Sequence, residues 1–472
     1  MLKKYITPFI LFNIILIAAC SRAVAPDVER GSMYQFRDGF PELRVSTIGL
    51  LDVDDTGYIN VAADVVYGSL IYRTIDGKSV ANVVIETRVV GIDDRDFSKT
   101  EQTALQIENQ DQSILSRQNT FAYEQDIEVP PGEYEVTVTL FDQTSGKSTV
   151  RNSTAFIPDP ENPVTNITSV RMLGKNNQSA DGRFMPITTY DVTSRVDSLK
   201  FVFQVTNNRM QDPLSIRTRL IRYRSDDTPA RDMHLNNYTA SSIQYKGIDY
   251  DSAEIIEETR RILDQEGSVL IEYQYEFLPR GNYRFEATTE GGGIDPLFKG
   301  RDFSVKPENY PSIQSPHELA APLAYLMDRR EYERLMSIED PDEIKEAVDR
   351  FWLTNIGSIN QARRVISMYY ERVEEANKQF SNFKEGWKTD MGMIYILFGP
   401  PWYIDQQLNL VMWSYAFDRS DPRYNFIFEQ PRIRNDFFPF TNYLLDRNQN
   451  LYQMQYQQVQ LWLSGEIVNR NI

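Results

Sequence analysis

The sequence of 472 residues contains one cysteine, Cys20, and two histidines, His234 and His317. A single thiol cannot form an internal disulfide, and it cannot supply the cysteine ligands of a zinc site or a Cys–His dyad. A Ser–His–Asp triad would need one of the two histidines, and no Gly-x-Ser-x-Gly elbow accompanies either. Walker A loops and strand-linked Gly-x-Gly-x-x-Gly loops are also absent from the sequence. We therefore predict no catalytic residue, no cofactor and no metal site. A calcium site at Asp52-Val-Asp-Asp55 or Asp93-Asp94 stays open, because it would need about six converging oxygens, which the sequence does not show.

Positively charged residues are outnumbered by negatively charged ones. The chain has 50 Lys and Arg against 67 Asp and Glu, a formal net charge of −17. Such a surface repels polyphosphate and anionic lipid, so we expect no nucleic-acid partner and no membrane binding through surface charge. The composition, with 41% hydrophobic and 12% aromatic residues, is typical of a globular protein, and the length predicts about three domains.

Long apolar runs are confined to the N-terminus. Lys3 and Lys4 precede an apolar stretch that ends at Ile17-Ala18-Ala19-Cys20, which has the layout of a secretory signal. The last four residues resemble the lipobox of bacterial lipoproteins, and the resemblance implies cleavage before a lipid-modified Cys20. We predict a signal peptide over 1–19 and a lipidated tether over 20–43, with the body at the outer membrane of the cell envelope. An uncleaved anchor or an ordinary secretory signal is the alternative.

The N-terminal two thirds of the body show strand patterns. Short runs rich in β-branched and aromatic residues, separated by Gly, Asp and Asn, fill 44–158 and 164–306. A Pro-x-Gly-x-Tyr repeat ends at Tyr134 in the first region and at Tyr283 in the second, each time at the start of a strand. This pattern predicts two tandem all-β Ig-like sandwiches, each with a tyrosine at a corner. The segment 252–265 fits a helix face or a strand pair equally well.

From 315 to 465 the pattern changes to an α+β domain. Asp340 followed by Pro341 begins one helix, and apolar residues at helical spacing continue over 359–380. We predict that these helices pack on a small antiparallel sheet of three strands, at 393–398, 410–417 and 424–428, with a helix or strand near 451–463.

At the junction of helix and sheet stands Gly386-Trp387-Lys388-Thr389-Asp390, and Gly399-Pro400-Pro401 follows the run 393–398. Both motifs resemble the GWxTD domain found in Bacteroidota and related phyla. The resemblance implies a cell-envelope protein and carries over no catalytic residues.

The residue types of the motifs predict local roles. Gly386 suits a left-handed helix stop, Trp387 can cover the helix–sheet seam, and Thr389 and Asp390 can accept bonds from nearby backbone N–H groups. The Gly-Pro-Pro segment is expected to end a strand in a rigid turn. The alternative is that the motif aromatic and acid line a binding pocket together with two neighbouring aromatics, which gives the candidate set Trp387, Asp390, Trp402 and Tyr403.

Two functions fit these observations. The first is a non-enzymatic interaction or scaffold protein of the envelope, serving secretion, assembly or a surface complex, with a membrane lipid anchor and an envelope protein partner. The second is a glycan-binding or glycan-processing lipoprotein that uses the aromatics Trp402, Tyr403, Trp413, Tyr415 and Tyr424. Since Trp413 and Tyr415 share one strand face and one face must be core, fewer aromatics remain for a sugar, which favours the first.

Overall fold

A computed structural model of the chain describes residues 28–30, 39–108, 119–176, 182–208, 213–236, 238–291, 296–416, 424–431 and 442–469. The predicted signal peptide and Cys20 lie outside the described residues. Strands account for 44% of the fold, with several sheets in the N-terminal part and most helices in the C-terminal part, which confirms the predicted order of β-rich and helical parts. Among the described residues, no helix has the length and apolar character needed to cross a membrane.

The first β region consists of two antiparallel sheets that share one core; the first strand of the chain, β1 (Val28–Arg30), belongs to the second region. One sheet has the order β2-β3-β7, with β2 (Leu43–Leu51), β3 (Gly57–Val66) and β7 (Thr120–Glu128). The other contains β4 (Arg73–Ile75), β5 (Lys78–Gly91), β6 (Ser98–Glu108), β8 (Gly132–Asp142) and β9 (Lys147–Ile157). Its order is β4-β5-β8-β9, and β6 also pairs with β5. Every second residue of β8 from Tyr134 to Leu140 is buried, as expected for a strand with one face in the core.

The second β region also has two sheets around one core. The first sheet contains β1, β13 (Asp191–Thr193), β15 (Leu214–Ser225), β16 (Ile248–Leu263), β18 (Gly281–Gly291) and β19 (Phe298–Lys306). The second contains β10 (Asn166–Ile167), β11 (Arg171–Lys175), β12 (Met185–Pro186), β14 (Ser198–Asn207) and β17 (Gly267–Glu276), and a short helix α1 (Ile243–Lys246) precedes β16. The ambiguous segment 252–265 is therefore mostly strand. It pairs with β15 through two register shifts.

The Pro-x-Gly-x-Tyr repeat forms the same corner in both regions. The Tyr134 hydroxyl donates a hydrogen bond of 2.6 Å to the Pro130 carbonyl, and the Tyr283 hydroxyl donates one of 2.6 Å to the Pro279 carbonyl. The glycine between the proline and the tyrosine has a positive φ in each copy, 149° at Gly132 and 157° at Gly281. Each tyrosine thus closes a turn whose backbone only glycine adopts readily.

In the described residues of the C-terminal part, six helices and one small sheet pack around a single core. The helices are α2 (Pro316–Ala320), α3 (Arg329–Met336), α4 (Pro341–Ile356), α5 (Ile359–Phe380), α6 (Asp390–Phe398) and α7 (Leu451–Ser464). The strands, in sheet order, are β20 (Tyr403–Gln406), β21 (Leu410–Ser414), β22 (Asn425–Glu429) and β23 (Leu444–Leu445). Short 3₁₀ turns lie at Tyr67–Ser69, Ala321–Tyr325, Gly386–Lys388 and Glu466–Asn469. Asp340 caps α4 as predicted, because its side chain accepts bonds from two N–H groups of the first turn.

One predicted strand is wrong. Residues 393–398 lie in helix α6, so the expected three-stranded sheet is instead the four-stranded sheet β20–β23. Each residue from Met393 to Phe398 is buried, and a helix buried on all sides has no polar face to give a helical period. The segment near 451–463, left between helix and strand, is helix α7.

Candidate functional site

The pentapeptide at 386–390 lies at the turn between α5 and α6, where its first residue allows a close backbone approach. A Cβ atom on Gly386 would lie 1.9 Å from the Ala376 carbonyl oxygen, and one on Gly392 would lie 1.9 Å from the Gly386 carbonyl oxygen. The φ of Gly386 is outside the left-handed region, so the predicted helix stop is wrong. The glycine is needed because the 3₁₀ turn packs directly against the backbone of α5.

The central residues of the motif are held by hydrogen bonds. The Trp387 N–H donates to the Asn377 side chain at 3.2 Å, and the Trp387 carbonyl accepts a bond of 2.6 Å from the Tyr325 hydroxyl. Thr389 caps α6: its hydroxyl accepts from the Gly392 N–H at 3.0 Å and donates to the Gly386 carbonyl at 2.7 Å. The structure thus agrees with the predicted local role of Thr389.

Asp390 makes a buried ion pair with Arg447. Two guanidinium nitrogens each donate a 2.6 Å bond to a different carboxylate oxygen, and the Leu445 N–H adds a third bond at 2.7 Å. Asp390 was expected to bond to neighbouring backbone, but its partners lie more than 50 residues away in sequence. Two-point contact between planar groups fixes both position and orientation, so this pair ties the start of α6 to the strand β23.

Arg447 and its neighbours also hold a segment of the second β region, residues 226–234, which we name the docking segment. Arg447 donates to the carbonyl of Arg231 at 3.1 Å and to that of Asp232 at 3.2 Å. The Gln455 side chain accepts from the Met233 N–H at 2.8 Å. The docking segment therefore lies against the C-terminal part through backbone hydrogen bonds.

Lysines on both sides of the motif tryptophan bind the start of the docking segment. Lys384 donates to Asp226 at 2.7 Å, and Lys388 donates to Asp227 at 2.6 Å. The Lys388 ammonium also forms an ion pair with Glu385 at 2.7 Å. Phe383 joins Ile221, Tyr223 and Ile248 of β15 and β16 in a small separate core cluster. The segment 383–390 is thus the seam between the β-rich and helical parts.

The ionisation of these groups follows from their pairing. Burial would raise the pKa of Glu385, but the two cations Lys388 and Lys306 outweigh burial and lower it to about 2. Burial would likewise lower the pKa of Arg447, and the Asp390 carboxylate reverses this and raises it. Burial raises the pKa of Tyr238, beside the pair, to about 12, with a contribution from Asp390. Glu385 and Arg447 are therefore charged at neutral pH, and each lies beside a group of opposite charge.

The second motif lies at the opposite end of α6. Gly399 has a φ of 85° and ends the helix, where a strand end had been predicted. Trp402 and Tyr403 follow Gly399-Pro400-Pro401 at the edge strand β20, with Trp402 46% exposed. A helix of nine residues is about 13 Å long, so α6 separates these aromatics from the motif acid at its other end. The structure does not bring the four predicted pocket residues together.

Several residues of the seam carried no sequence signal. Arg447, Lys384 and Gln455 do not belong to a motif, and their partners in the docking segment come from another part of the fold. A cavity of about 500 Å³ adjoins the seam, and its charged lining residues include Arg222, Arg280, Lys306, Lys384, Glu254 and Glu385. Within the described part of the chain, no three His, Cys, Asp or Glu side chains lie close enough to hold a metal ion.

The GWxTD domain family matches residues 295–464. The match begins within the second β region and includes β19. No curated protein matches the chain.

Among solved structures, the transglutaminase of red sea bream shares 11% identity, covering 56% of this chain and 31% of that one, with a TM-score of 0.17. Elastase-activated α2-macroglobulin of Escherichia coli shares 10% identity over 77% of this chain and 36% of that one, with a TM-score of 0.19. The trypsin-activated form shares 11% over 59% and 17%, with a TM-score of 0.16. The chain spans about a third or less of these proteins, and scores this low carry no argument about its fold or function.

Proposed function

Because this chain is a GWxTD domain-containing protein, we propose that it is a non-enzymatic interaction or scaffold component of the bacterial cell envelope. In this proposal, a lipid on Cys20 holds the body at the outer membrane of a Bacteroidota-type cell. The two β regions and the GWxTD domain present a binding surface to an envelope protein engaged in secretion, assembly or a surface complex.

The observation that supports a scaffold is how the motif polar groups are used. Asp390, Thr389 and Lys388 all have their bonding capacity taken by groups of the same chain. A general acid, base or nucleophile needs an accessible group near a substrate, whereas Asp390 and Thr389 are buried in the seam and Lys388 is partly buried there. The motif that defines the family therefore serves to join the helical domain to the β region that precedes it.

We further propose that both β regions are Ig-like sandwiches. The two matching bonds, from Tyr134 to Pro130 and from Tyr283 to Pro279, favour this interpretation because a tyrosine corner is typical of such sandwiches. Each region also has two sheets with a single shared core. Sandwiches in tandem suit a stalk or a docking surface.

The lipid anchor rests on the sequence at 1–20, where an apolar run precedes the single cysteine of the chain. Cys20→Ala is expected to move the protein from the membrane fraction to the soluble fraction, because the sulfur that carries the lipid is lost. An exposed substitution elsewhere, Tyr456→Phe, serves as the control and should leave the protein in the membrane fraction. A Cys20→Ala protein that stays in the membrane fraction would refute the lipid anchor.

The scaffold itself is tested by cross-linking the tagged, membrane-bound chain in intact envelopes. We expect one envelope protein in near-stoichiometric yield, and loss of this partner in the Cys20→Ala variant, which no longer reaches the membrane. Absence of a stoichiometric partner, combined with retention of the purified chain on polysaccharide, would overturn the scaffold in favour of glycan binding.

Glycan binding is the second candidate, and exposed aromatics favour it. Trp402 and Tyr424 are each 46% exposed near the small sheet, whereas Trp413 is only 2% exposed and belongs to the core. Exposed aromatic faces can stack on sugar rings. Affinity electrophoresis in gels containing polysaccharide tests this: retardation that Trp402→Ala abolishes, and that Tyr456→Ala leaves unchanged, would support it.

A further inference from the structure

A second, larger cleft lies away from the seam, where the first β region meets the second. It has a volume of about 750 Å³. Its walls come from β2, from the end of β5, the start of β8 and the middle of β9, and from the second region at Thr188 and Arg301. Small-molecule sites in proteins commonly have volumes in this range and lie between domains.

Arg301 is the unusual residue of this cleft. It lies on the same face of β19 as Phe303 and Val305, which are core residues, and only 4% of it is exposed. Its one hydrogen bond to the described chain is a long one, 3.5 Å from a guanidinium nitrogen to the Thr189 carbonyl. Its Nε has no hydrogen-bond partner among the described residues.

Such an arginine is costly for the fold. A guanidinium has five N–H donors and keeps its charge at all relevant pH values. Burying that charge without a counterion is strongly unfavourable, and buried charges are therefore normally paired. By contrast, Arg284 on the neighbouring strand β18 is also buried and has a two-point pair with Asp302. Arg301 is thus a buried cation without a counterion among the described residues, and it lies at the wall of an accessible cleft.

The rest of the lining combines polar side chains with the apolar Val45, Val90 and Ile92, and it carries little negative charge. Arg95 is exposed at the cleft and makes no ion pair within the described part of the chain. The hydroxyls of Ser46, Thr47, Ser153, Thr154 and Thr188 and the amide of Asn152 also line it. Of these hydroxyls, Thr188 already donates to Asp64 at 2.6 Å, and those of Thr47 and Ser153 share a hydrogen bond of 2.7 Å. Glu135 is the carboxylate among the lining residues, and it is exposed.

From this arrangement we propose that the cleft binds a small hydroxylated carboxylate of the size and chemistry of a uronic acid. The Arg301 fork receives the carboxylate, because planar guanidinium and carboxylate groups match at two points. Hydroxyl and amide side chains bind the ligand hydroxyls, and Arg95 adds long-range attraction at the entrance. The site is independent of the scaffold function and of the motif seam.

The probes are D-glucuronate, D-glucose and inorganic phosphate, titrated into the purified full chain by calorimetry. We expect binding of glucuronate and no measurable binding of glucose, which lacks the carboxylate. Arg301→Gln should weaken glucuronate binding by about 10- to 100-fold, the range for losing a charged hydrogen-bonding partner. Arg73→Gln, an exposed arginine on β4 of the first region, is the matched control and should change nothing.

Because Arg301→Gln alters a buried position, the exposed Arg95→Gln provides a second reading. It should weaken glucuronate binding a few-fold, and the weakening should shrink as salt is raised, because the attraction is long-range. Failure of the wild-type chain to bind glucuronate would overturn the proposal, as would equal binding by the wild type and both arginine variants. Binding of phosphate with exclusion of glucuronate would overturn the hydroxylated-carboxylate assignment.

Discussion

Replacing Asp390 by Asn tests the role of the motif most directly. The amide keeps the shape of the side chain and one acceptor oxygen, but it removes the charge that pairs with the buried Arg447 guanidinium. Three hydrogen bonds, of 2.6, 2.6 and 2.7 Å, now meet the carboxylate, and an Asn side chain can satisfy only part of this set. Asp390→Asn should therefore leave Arg447 as an uncompensated buried cation.

The cost can be worked out from what remains around that cation. Breaking a buried ion pair by removing one partner costs about 3–5 kcal/mol. Arg447 keeps three carbonyl acceptors, those of Arg231, Asp232 and Leu445, so we place the loss near the lower end, about 3 kcal/mol. At a denaturant slope of about 1–3 kcal/mol per molar urea, the midpoint should fall by about 1–3 M.

Urea unfolding of the full chain, followed by tryptophan fluorescence, measures this shift. The control is Asp446→Asn, the same chemical change at an exposed position beside Arg447, which should alter the free energy of unfolding by less than about 0.5 kcal/mol. The double variant Asp390→Leu with Arg447→Met should recover much of the loss, because no charge then remains buried. If Asp390→Asn unfolds at the same urea concentration as Asp446→Asn, the Asp390–Arg447 ion pair does not stabilise the fold.

Three further predictions concern the turn, the corners and the buried acid. Gly386→Ala should lower the free energy of unfolding by about 3 kcal/mol or more, measured by urea unfolding, because its Cβ would lie 1.9 Å from the Ala376 carbonyl oxygen. Tyr134→Phe and Tyr283→Phe should each cost about 1–2 kcal/mol in thermal or urea unfolding, since each leaves a proline carbonyl without its bond. Glu385, whose folded pKa is lowered to about 2, stabilises the fold above its ordinary pKa of 4.5 and loses that contribution as pH falls toward 2. A difference of about 2.5 pH units amounts to a loss on the order of 3 kcal/mol, measured as urea midpoints at pH 6 and pH 2.

A matched control variant tests each of these three predictions. Gly146→Ala has open space around the new Cβ but a φ of 70°, so it should show only the backbone strain of about 1 kcal/mol; an equal loss at Gly386 would exclude the clash. Tyr456→Phe, at an exposed position, should be neutral, and corner variants that are equally neutral would refute the corner bonds. Glu385→Gln should remove its share of the acid dependence, so an unchanged pH profile would show that Glu385 is not stabilised by its cations.

The sequence supports the β-to-α order and the repeated corner because both rest on local patterns. Strand alternation and the Pro-x-Gly-x-Tyr spacing are properties of a few adjacent residues, and Tyr134 and Tyr283 behave alike in the structure. The local pattern of the run 393–398, in contrast, predicted a strand where the structure has a helix. Residues buried on every side lose the polar face that separates a 3.6-residue from a 2-residue period, and the cap that marks the helix is the single residue Thr389.

The site was less predictable because its bonds join distant parts of the chain. Thr389 could be assigned from its neighbours, whereas Asp390 is explained by Arg447, which no local pattern connects to it. Gly386 illustrates a different failure. A glycine can be required by its backbone angle or by a neighbour that leaves no room for a Cβ, and a single sequence does not distinguish these cases. The unsatisfied Arg301 is likewise visible only once its surroundings are known.

In the proposed lipid-anchored form, the short parallel pairing of β1 with β19 limits how far the body can stand from the bilayer. Val28 pairs with Gly300, and only eight residue steps separate Val28 from Cys20. Even a fully extended chain of that length spans less than about 30 Å. With a lipid on Cys20, this short connection would keep the edge of the second β region close to the lipid headgroups. The second region would be held there even though the first region precedes most of it in the sequence.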